Sequence, residues 1–151
     1  MTSLSKNKYS RIVYASSGAL YGDATKNPHR PEDEVFIDSS YTRMKYLAEN
    51  VMTSSKNGII ARLGNVYGFG MSRSNVLSRL LEQIELQGDL RVTDTVPIRD
   101  FIWVEDVVNG ILSLALAEFR DFGDRRIYNL GTGIGTSIGE LARLVLEIAG
   151  Q

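Results

Sequence analysis

The sequence predicts an α/β fold in which short buried strands run parallel and helices cover them. Three observations carry this. Compact apolar runs such as Arg11–Ser16 and Ile59–Leu63 are too short for helices, and the first holds a β-branched pair. Stretches with apolar residues at helical spacing lie between such runs. The two signals alternate along the chain, the order that builds a parallel sheet under helices.

Each element follows from its residues. RIVYAS (Arg11–Ser16) is the first strand, closed by Gly18 and the Tyr21-Gly22 pair. The preceding TSLSKNKYS reads as the end of a helix and a loop. Asp23–Ser40 holds Pro28, Pro31 and a cluster of acids, which makes it a loop. Ser39 or Ser40 can cap a helix by accepting a hydrogen bond from a free backbone N–H. Met44, Leu47, Ala48, Val51 and Met52 then form the apolar stripe of an amphipathic helix running to about Lys56, and Asn57-Gly58 stops it. Ile59, Ile60, Ala61 and Leu63 make the next strand. Asn65–Ser74 is glycine-rich and polar and reads as a loop. Val76, Leu77, Leu80, Leu81 and Ile84 mark a helix ending before Gly88. Leu90–Thr93 is a short strand candidate, and Ile98–Val104 alternates apolar residues around Arg99 and Asp100. A helix begins at Asp106 with Val107, Ile111, Leu114 and Ala115 on its face. Ile127–Leu130 is a strand and Gly131–Gly135 a turn. Ser137, with Glu140 three residues on, forms a capping box for a last helix that ends near Ala149-Gly150.

Composition narrows the function. The chain has 151 residues, which suits one domain with one core. Its 17 basic and 18 acidic residues give no electrostatic footprint for nucleic acid or an anionic membrane. No apolar run is long enough to span a bilayer, and MTSLSKNKYSR lacks the apolar core of a signal peptide. With no cysteine, disulfides and thiolate metal sites are excluded, and the single His29 cannot build a histidine cluster for zinc. A soluble cytoplasmic protein is the expectation.

One constellation carries chemistry. Tyr41 and Lys45 lie four apart on a helix, so both project from one face. A free tyrosine has a pKa of about 10, and a nearby ammonium stabilises its phenolate. Ser16 and Ser17 end the first strand, and ligands of open α/β sheets bind beyond the carboxyl ends of the strands. Ser17, Tyr41 and Lys45 can therefore converge on one reacting proton. On spacing alone the pair also reads as a tyrosine packed beside a solvated lysine.

Longer stretches supply context. VYASSGALYG, YTRMK, ARLGNVYGFG and RDFIWVEDV occur in that order, followed by IYNLGTG and TSIGEL. Together they resemble the extended short-chain dehydrogenase/reductase superfamily, in its NAD-dependent epimerase/dehydratase branch, over almost all of residues 11–149. The resemblance implies a partial Rossmann-like (doubly wound) parallel sheet with part of a small substrate-binding lobe. Residues 1–64 would form the second half of the dinucleotide-binding sheet. Residues 65–151 would hold substrate-lobe elements interleaved with the last strand and helix of that sheet. It implies Ser17, Tyr41 and Lys45 as the catalytic set, with Tyr41 as acid/base. Ser16, Tyr41, Lys45, Leu63 and Gly64 would face NAD or NADP, and Asn65, Asn75 and Arg99 would hold a nucleotide-sugar substrate. A guanidinium at Arg99 suits phosphate oxygens, although a salt bridge with Asp100 or Asp106 is the plainer reading. Family members often pair through the helix bearing Tyr41 and Lys45, which implies a homodimer of the complete protein. The exposed side of that helix, including Glu49 and Lys56, also suits solvent.

Departures from the family pattern refine this. Gly18 and Ala19 stand where dehydratases carry Asp-Glu, and neither can exchange a proton. That favours epimerisation or carbonyl reduction over elimination. Trp103 stands where the family often has His, and Asp94 replaces a glycine in the preceding turn, which is expected to alter the substrate loop. The family's Gly-x-x-Gly-x-x-Gly turn is absent from the front of the sequence, and the glycines at 131, 133 and 135 do not substitute for it. About half of such a sheet, roughly 100 residues, is thus expected to lie elsewhere, with most of the cofactor site. The chain alone is expected to fold marginally, to bind NAD poorly and to be inactive. A non-catalytic, truncated family member acting as a nucleotide-binding or scaffold domain is the alternative.

Overall fold

The computed structural model describes residues 11–22, 28–86, 90–118 and 123–150. The expected helix end within TSLSKNKYS lies outside these residues. Strand β1 (Ile12–Ser17) leads into a 3₁₀ turn (Gly18–Tyr21), then helix α1 (Ser40–Thr53) and strand β2 (Gly58–Leu63). The chain continues through β3 (Asn65–Tyr67), α2 (Val76–Glu85), β4 (Ile98–Trp103) and α3 (Val104–Leu116). It closes with β5 (Ile127–Leu130), β6 (Gly135–Ser137) and α4 (Ile138–Ala149).

The strands form two sheets. The first is parallel, in the order β1-β2-β5, with Ser16 opposite Arg62 and Ser17 opposite Leu63. The second has the order β3-β4-β6, with β3 parallel and β6 antiparallel to β4. Alternation along β2 separates two layers of the first sheet. Ile59 and Ala61 pack with Leu114 of α3, joined by Val13, Leu63, Tyr128 and Leu130. The opposite side of β2 carries Ile60 and Arg62, and Arg62 bonds α1 through Glu49. A Cβ on Gly58 would collide with the Met52 carbonyl, so only glycine lets the strand start directly beneath the helix end. A separate core joins α2 to α4 through Leu80, Leu141, Ala142 and Val145.

Several sequence expectations need correction. Asn65–Tyr67 is a strand rather than loop, because it pairs with Phe101–Trp103. Gly135–Ser137 pairs with Ile98–Asp100 instead of belonging only to a turn. Leu90–Thr93 is no strand: the Gln83 side chain accepts the Arg91 N–H at 2.7 Å and takes the place of a strand partner. α3 begins at Val104, with Glu105 and Asp106 in its first turn, where acids suit the helix dipole. α1 ends at Thr53, and of its apolar stripe only Met52 is buried in the core. Met44 (57% exposed), Leu47 (55%) and Val51 (47%) point outward, while Thr42, Glu49 and Met52 are buried. Glu49, expected on the solvent side, is only 3% exposed.

Candidate active site

β1 delivers two serines to its C-terminal end, and pleating sends them apart. The Ser17 hydroxyl accepts a hydrogen bond from the Ala19 N–H at 3.2 Å, which caps the 3₁₀ turn and leaves its own proton available. Ser16 is buried, and its hydroxyl donates to Glu49 at 2.5 Å. The Ser16 side chain, expected near cofactor, is therefore committed to the interior. Any cofactor contact there falls to its backbone.

α1 starts on a capping box. The Ser39 hydroxyl accepts the Thr42 N–H at 3.2 Å, and the Thr42 hydroxyl accepts the Ser39 N–H at 3.1 Å. Thr42 in turn donates to Asp38 at 3.1 Å. This fixes the first turn, where Tyr41 sits half exposed at 48%. One turn on, the Lys45 ammonium donates to the Ala15 carbonyl at 2.9 Å. It lies 5.7 Å from the Tyr41 ring centroid and 5.2 Å from that of Tyr14. Lys45 thus bridges the tyrosine and the strand that ends in Ser17.

A cleft of about 620 Å³ opens between these groups and the α2 lobe. Ser17, Tyr41, Gly64, Asn65, Asn75 and Arg99 all line it. Leu63 instead packs into the α3 core, and Lys45 does not line the cleft. Asn75 also caps α2: its Oδ1 accepts the Leu77 N–H at 3.0 Å and its Nδ2 donates to the Val66 carbonyl at 3.4 Å. Sequence reasoning missed Arg79, Gln83 and Arg91, which line the same cleft. Arg79, Arg91 and Arg99 face Asp94 as the one acid among the described lining residues, so the wall is positive and suits a phosphate-bearing ligand. Asp94 accepts the Val96 N–H at 3.0 Å, which shapes the turn where a glycine was expected.

Asp100 is spent elsewhere. Its carboxylate accepts the Thr132 and Gly133 N–H groups at 2.9 and 2.8 Å and the Thr132 hydroxyl at 2.7 Å. A Cβ on Gly131 would collide with that carboxylate. The Gly131–Gly135 turn is therefore already filled by a side-chain anion, and it opens a strand instead of a helix. Trp103 packs edge-on against Tyr67 and Phe69, with ring centroids 5.3 and 6.2 Å away. Among the described residues, no group of three metal-ligating side chains gathers, and no helix is long and apolar enough to cross a membrane.

The model of the NAD dependent epimerase/dehydratase family matches residues 1–131. The chain belongs to that family. It is 26% identical to UDP-glucose 4-epimerase 4 of Oryza sativa subsp. japonica, covering 93% of this chain and 45% of that one. It is 30% identical to UDP-glucuronic acid decarboxylase 3 of Arabidopsis thaliana, covering 98% and 46%. The chain thus spans less than half the length of these relatives. Among solved structures, the UDP-glucose 4-epimerase of Thermotoga maritima with UDP-glucose superposes with a TM-score of 0.77 at 28% identity, over 93% of this chain and 48% of that one. The Thermus thermophilus UDP-glucose 4-epimerase in complex with NAD gives 0.74 at 27%, over 93% and 49%. The expected Rossmann-like α/β fold is borne out by these likenesses.

For an NAD-dependent family, the residues present fit one end of the cofactor. Tyr41, with Lys45 beside it, brings a hydroxyl and an ammonium, groups able to hydrogen-bond ribose hydroxyls, to the end of β1. The pyrophosphate end needs free backbone N–H groups at a helix start after a strand. Among the described residues the glycine-rich turn at 131–135 does not supply them, since Asp100 already takes its N–H groups.

Proposed function

We propose that this chain carries the acid/base and substrate-holding half of an NAD-dependent nucleotide-sugar epimerase or reductase. One observation carries the reading: Ser17 and Tyr41 line the same cleft as Asn65, Asn75 and Arg99. One set suits proton transfer and the other suits the diphosphate of a nucleotide sugar. When bound, NAD supplies a reversible acceptor for the sugar's hydride.

The chain's own groups move the proton. The Tyr41 oxygen takes the proton of the reacting sugar hydroxyl and returns it afterwards. The Ser17 hydroxyl, its oxygen oriented by the Ala19 N–H, donates to the reacting oxygen. Lys45 keeps two N–H donors after its bond to Ala15, available to the ribose hydroxyls of the cofactor. Arg99, with Arg79 and Arg91 on the same wall, neutralises the diphosphate. Gly18 and Ala19 add no acid or base, which favours epimerisation or carbonyl reduction over elimination. The outward Met44, Leu47 and Val51 stripe on α1 fits pairing with a second copy.

Calorimetric titration with UDP-glucose tests the substrate side. Arg99→Ala is expected to weaken binding at least tenfold, consistent with ~1.5–3 kcal/mol for a hydrogen bond to a charged group. Tyr41→Phe is expected to leave that binding intact and to abolish NAD-dependent turnover by the natural polypeptide. Wild-type affinity in Arg99→Ala, or turnover surviving in Tyr41→Phe, would overturn the assignment.

A further inference from the structure

Between α1 and the β1-β2 strands lies a buried ionic cluster that the proposed chemistry does not use. Glu49 follows Lys45 by four residues and Tyr41 by eight, so the three stand in one row along α1. Arg62 is 5% exposed and Glu49 3%. They meet in a two-point fork, with Arg62 Nη2 to Glu49 Oε2 at 2.8 Å and Nε to Oε1 at 3.0 Å. The same Oε1 accepts the Ser16 hydroxyl. Arg62 also donates to the Pro31 carbonyl at 3.2 Å and lies over the Tyr21 ring, whose hydroxyl donates to Asn129 at 2.6 Å. Burial works against the Arg62 charge, yet the bonds to Glu49 and the neighbouring Tyr21 outweigh it and hold its pKa above the ordinary value.

The arrangement ties α1 to both strands that carry the site. Ser16 immediately precedes Ser17, and Arg62 lies opposite Ser16 in the sheet register. The face of α1 turned to the sheet buries Met52 as its one large apolar side chain, so packing alone sets the helix's axial position weakly. Directional bonds set it instead: Glu49 to Ser16 and Arg62, and Lys45 to Ala15. We infer that Glu49 is a positioning residue, fixing where α1 sits along β1 and so where Tyr41 and Lys45 stand against Ser17. The functional meaning of that placement rests on the proposed Ser17–Tyr41–Lys45 chemistry, whereas the placement itself can be measured without it. A slip of one helical turn, about 5.4 Å, would carry Tyr41 out of reach of Ser17.

The chain has no cysteine, so Ala19→Cys with Met44→Cys accepts two nitroxide labels at exposed positions, one on the 3₁₀ turn that directly follows β1 and one on α1. Continuous-wave EPR on the full chain in sucrose, which favours the folded state, reads the distance distribution between them. Glu49→Leu with Arg62→Met replaces the pair by apolar residues of similar size, an exchange that is often neutral or stabilising. The inference expects this variant to melt at or above the wild-type temperature while its label distribution broadens by about twofold, since directional contacts specify geometry that apolar ones do not. Ser16→Ala, which removes a single bond, is expected to broaden it less. Distributions as narrow as wild type in both variants would overturn the inference. UDP-glucose titration of the same samples separates the two proposals: a narrow wild type and a broad double variant, with no sugar-nucleotide binding in either, uphold positioning and reject the enzymatic reading.

Discussion

The two sides of the cleft are built on opposite principles. The Ser17–Tyr41 side rests on an ionic seam between α1 and the β1-β2 strands. The Arg79–Arg91 side rests on an apolar seam between α2 and α4, where Leu80 meets Leu141, Ala142 and Val145. Hydrophobic contact is non-directional and tolerates small shifts, whereas the Arg62–Glu49 fork holds in one geometry. The difference matches what the proposed chemistry asks of each side. Proton transfer depends on placement at hydrogen-bond distance. A positive wall that neutralises phosphate acts over a longer range and needs less exact placement.

The sharpest way to break this comparison is one truncation on each seam. Glu49→Ala leaves the Arg62 charge buried without its partner, an expected loss of about 3–5 kcal/mol. Leu80→Ala, at a residue 2% exposed, costs about 2–5 kcal/mol by lost burial and cavity. Urea denaturation measures both. The comparison predicts different second steps: adding Arg62→Met rescues Glu49→Ala, whereas no polar change rescues Leu80→Ala. Equal failure of both rescues would mean that the ionic seam is ordinary core.

A smaller effect sharpens the account of the apolar lobe, whose polar bonds lie at its rim. Gln83 joins the Arg79 carbonyl to the backbone of Arg91 with bonds of 3.1 and 2.7 Å. Gln83→Ala is expected to cost about 0.5–1.5 kcal/mol and to speed amide hydrogen exchange at Arg91 specifically. Unchanged protection at Arg91 would mean that the apolar contacts of Leu90 and Val92 hold that segment unaided.

These seams also explain what the sequence disclosed. β1, β2, α2, α4 and the serine caps of α1 and α4 were legible, because local periodicity and capping chemistry decide them. Ser17 and Tyr41 were placed on one cleft by motif order. β3 and β6 were not legible, since three-residue strands exist only through pairing with β4. The outward stripe of α1 misled for a related reason: apolar periodicity reports that a face is apolar and not what covers it. Glu49 carried a usable signal, the same four-residue spacing that linked Tyr41 to Lys45. Arg62 carried another, as the one charge inside a strand otherwise composed of Gly, Ile, Ala and Leu. Neither signal names its partner, because Glu49 and Arg62 meet only once α1 lies across β2.

The smallest expected effect lies at the rim of the same apolar lobe and carries a pH signature. Ser137 donates to the Glu140 carboxylate through its N–H at 2.8 Å and its hydroxyl at 2.7 Å, closing the capping box of α4. The backbone bond, then the hydroxyl bond, lower the Glu140 pKa below the ordinary carboxylate value, with a lesser contribution from Arg143. A carboxyl whose pKa is lower in the folded state stabilises that state above its unfolded pKa, which is about 4.3. This contribution fades as pH falls through that value toward the lowered folded one. Wild type should therefore melt slightly above Glu140→Gln at pH 7, and the two should converge as the pH drops below about 4.3. Ser137→Ala should narrow the pH-dependent gap without closing it, because the backbone N–H bond to Glu140 remains, and should remove the hydroxyl cap at a cost of about 1 kcal/mol. A gap that instead widens on acidification would show that the carboxylate is not the group α4 depends on, and the capping box would have to act through the Ser137 hydroxyl alone.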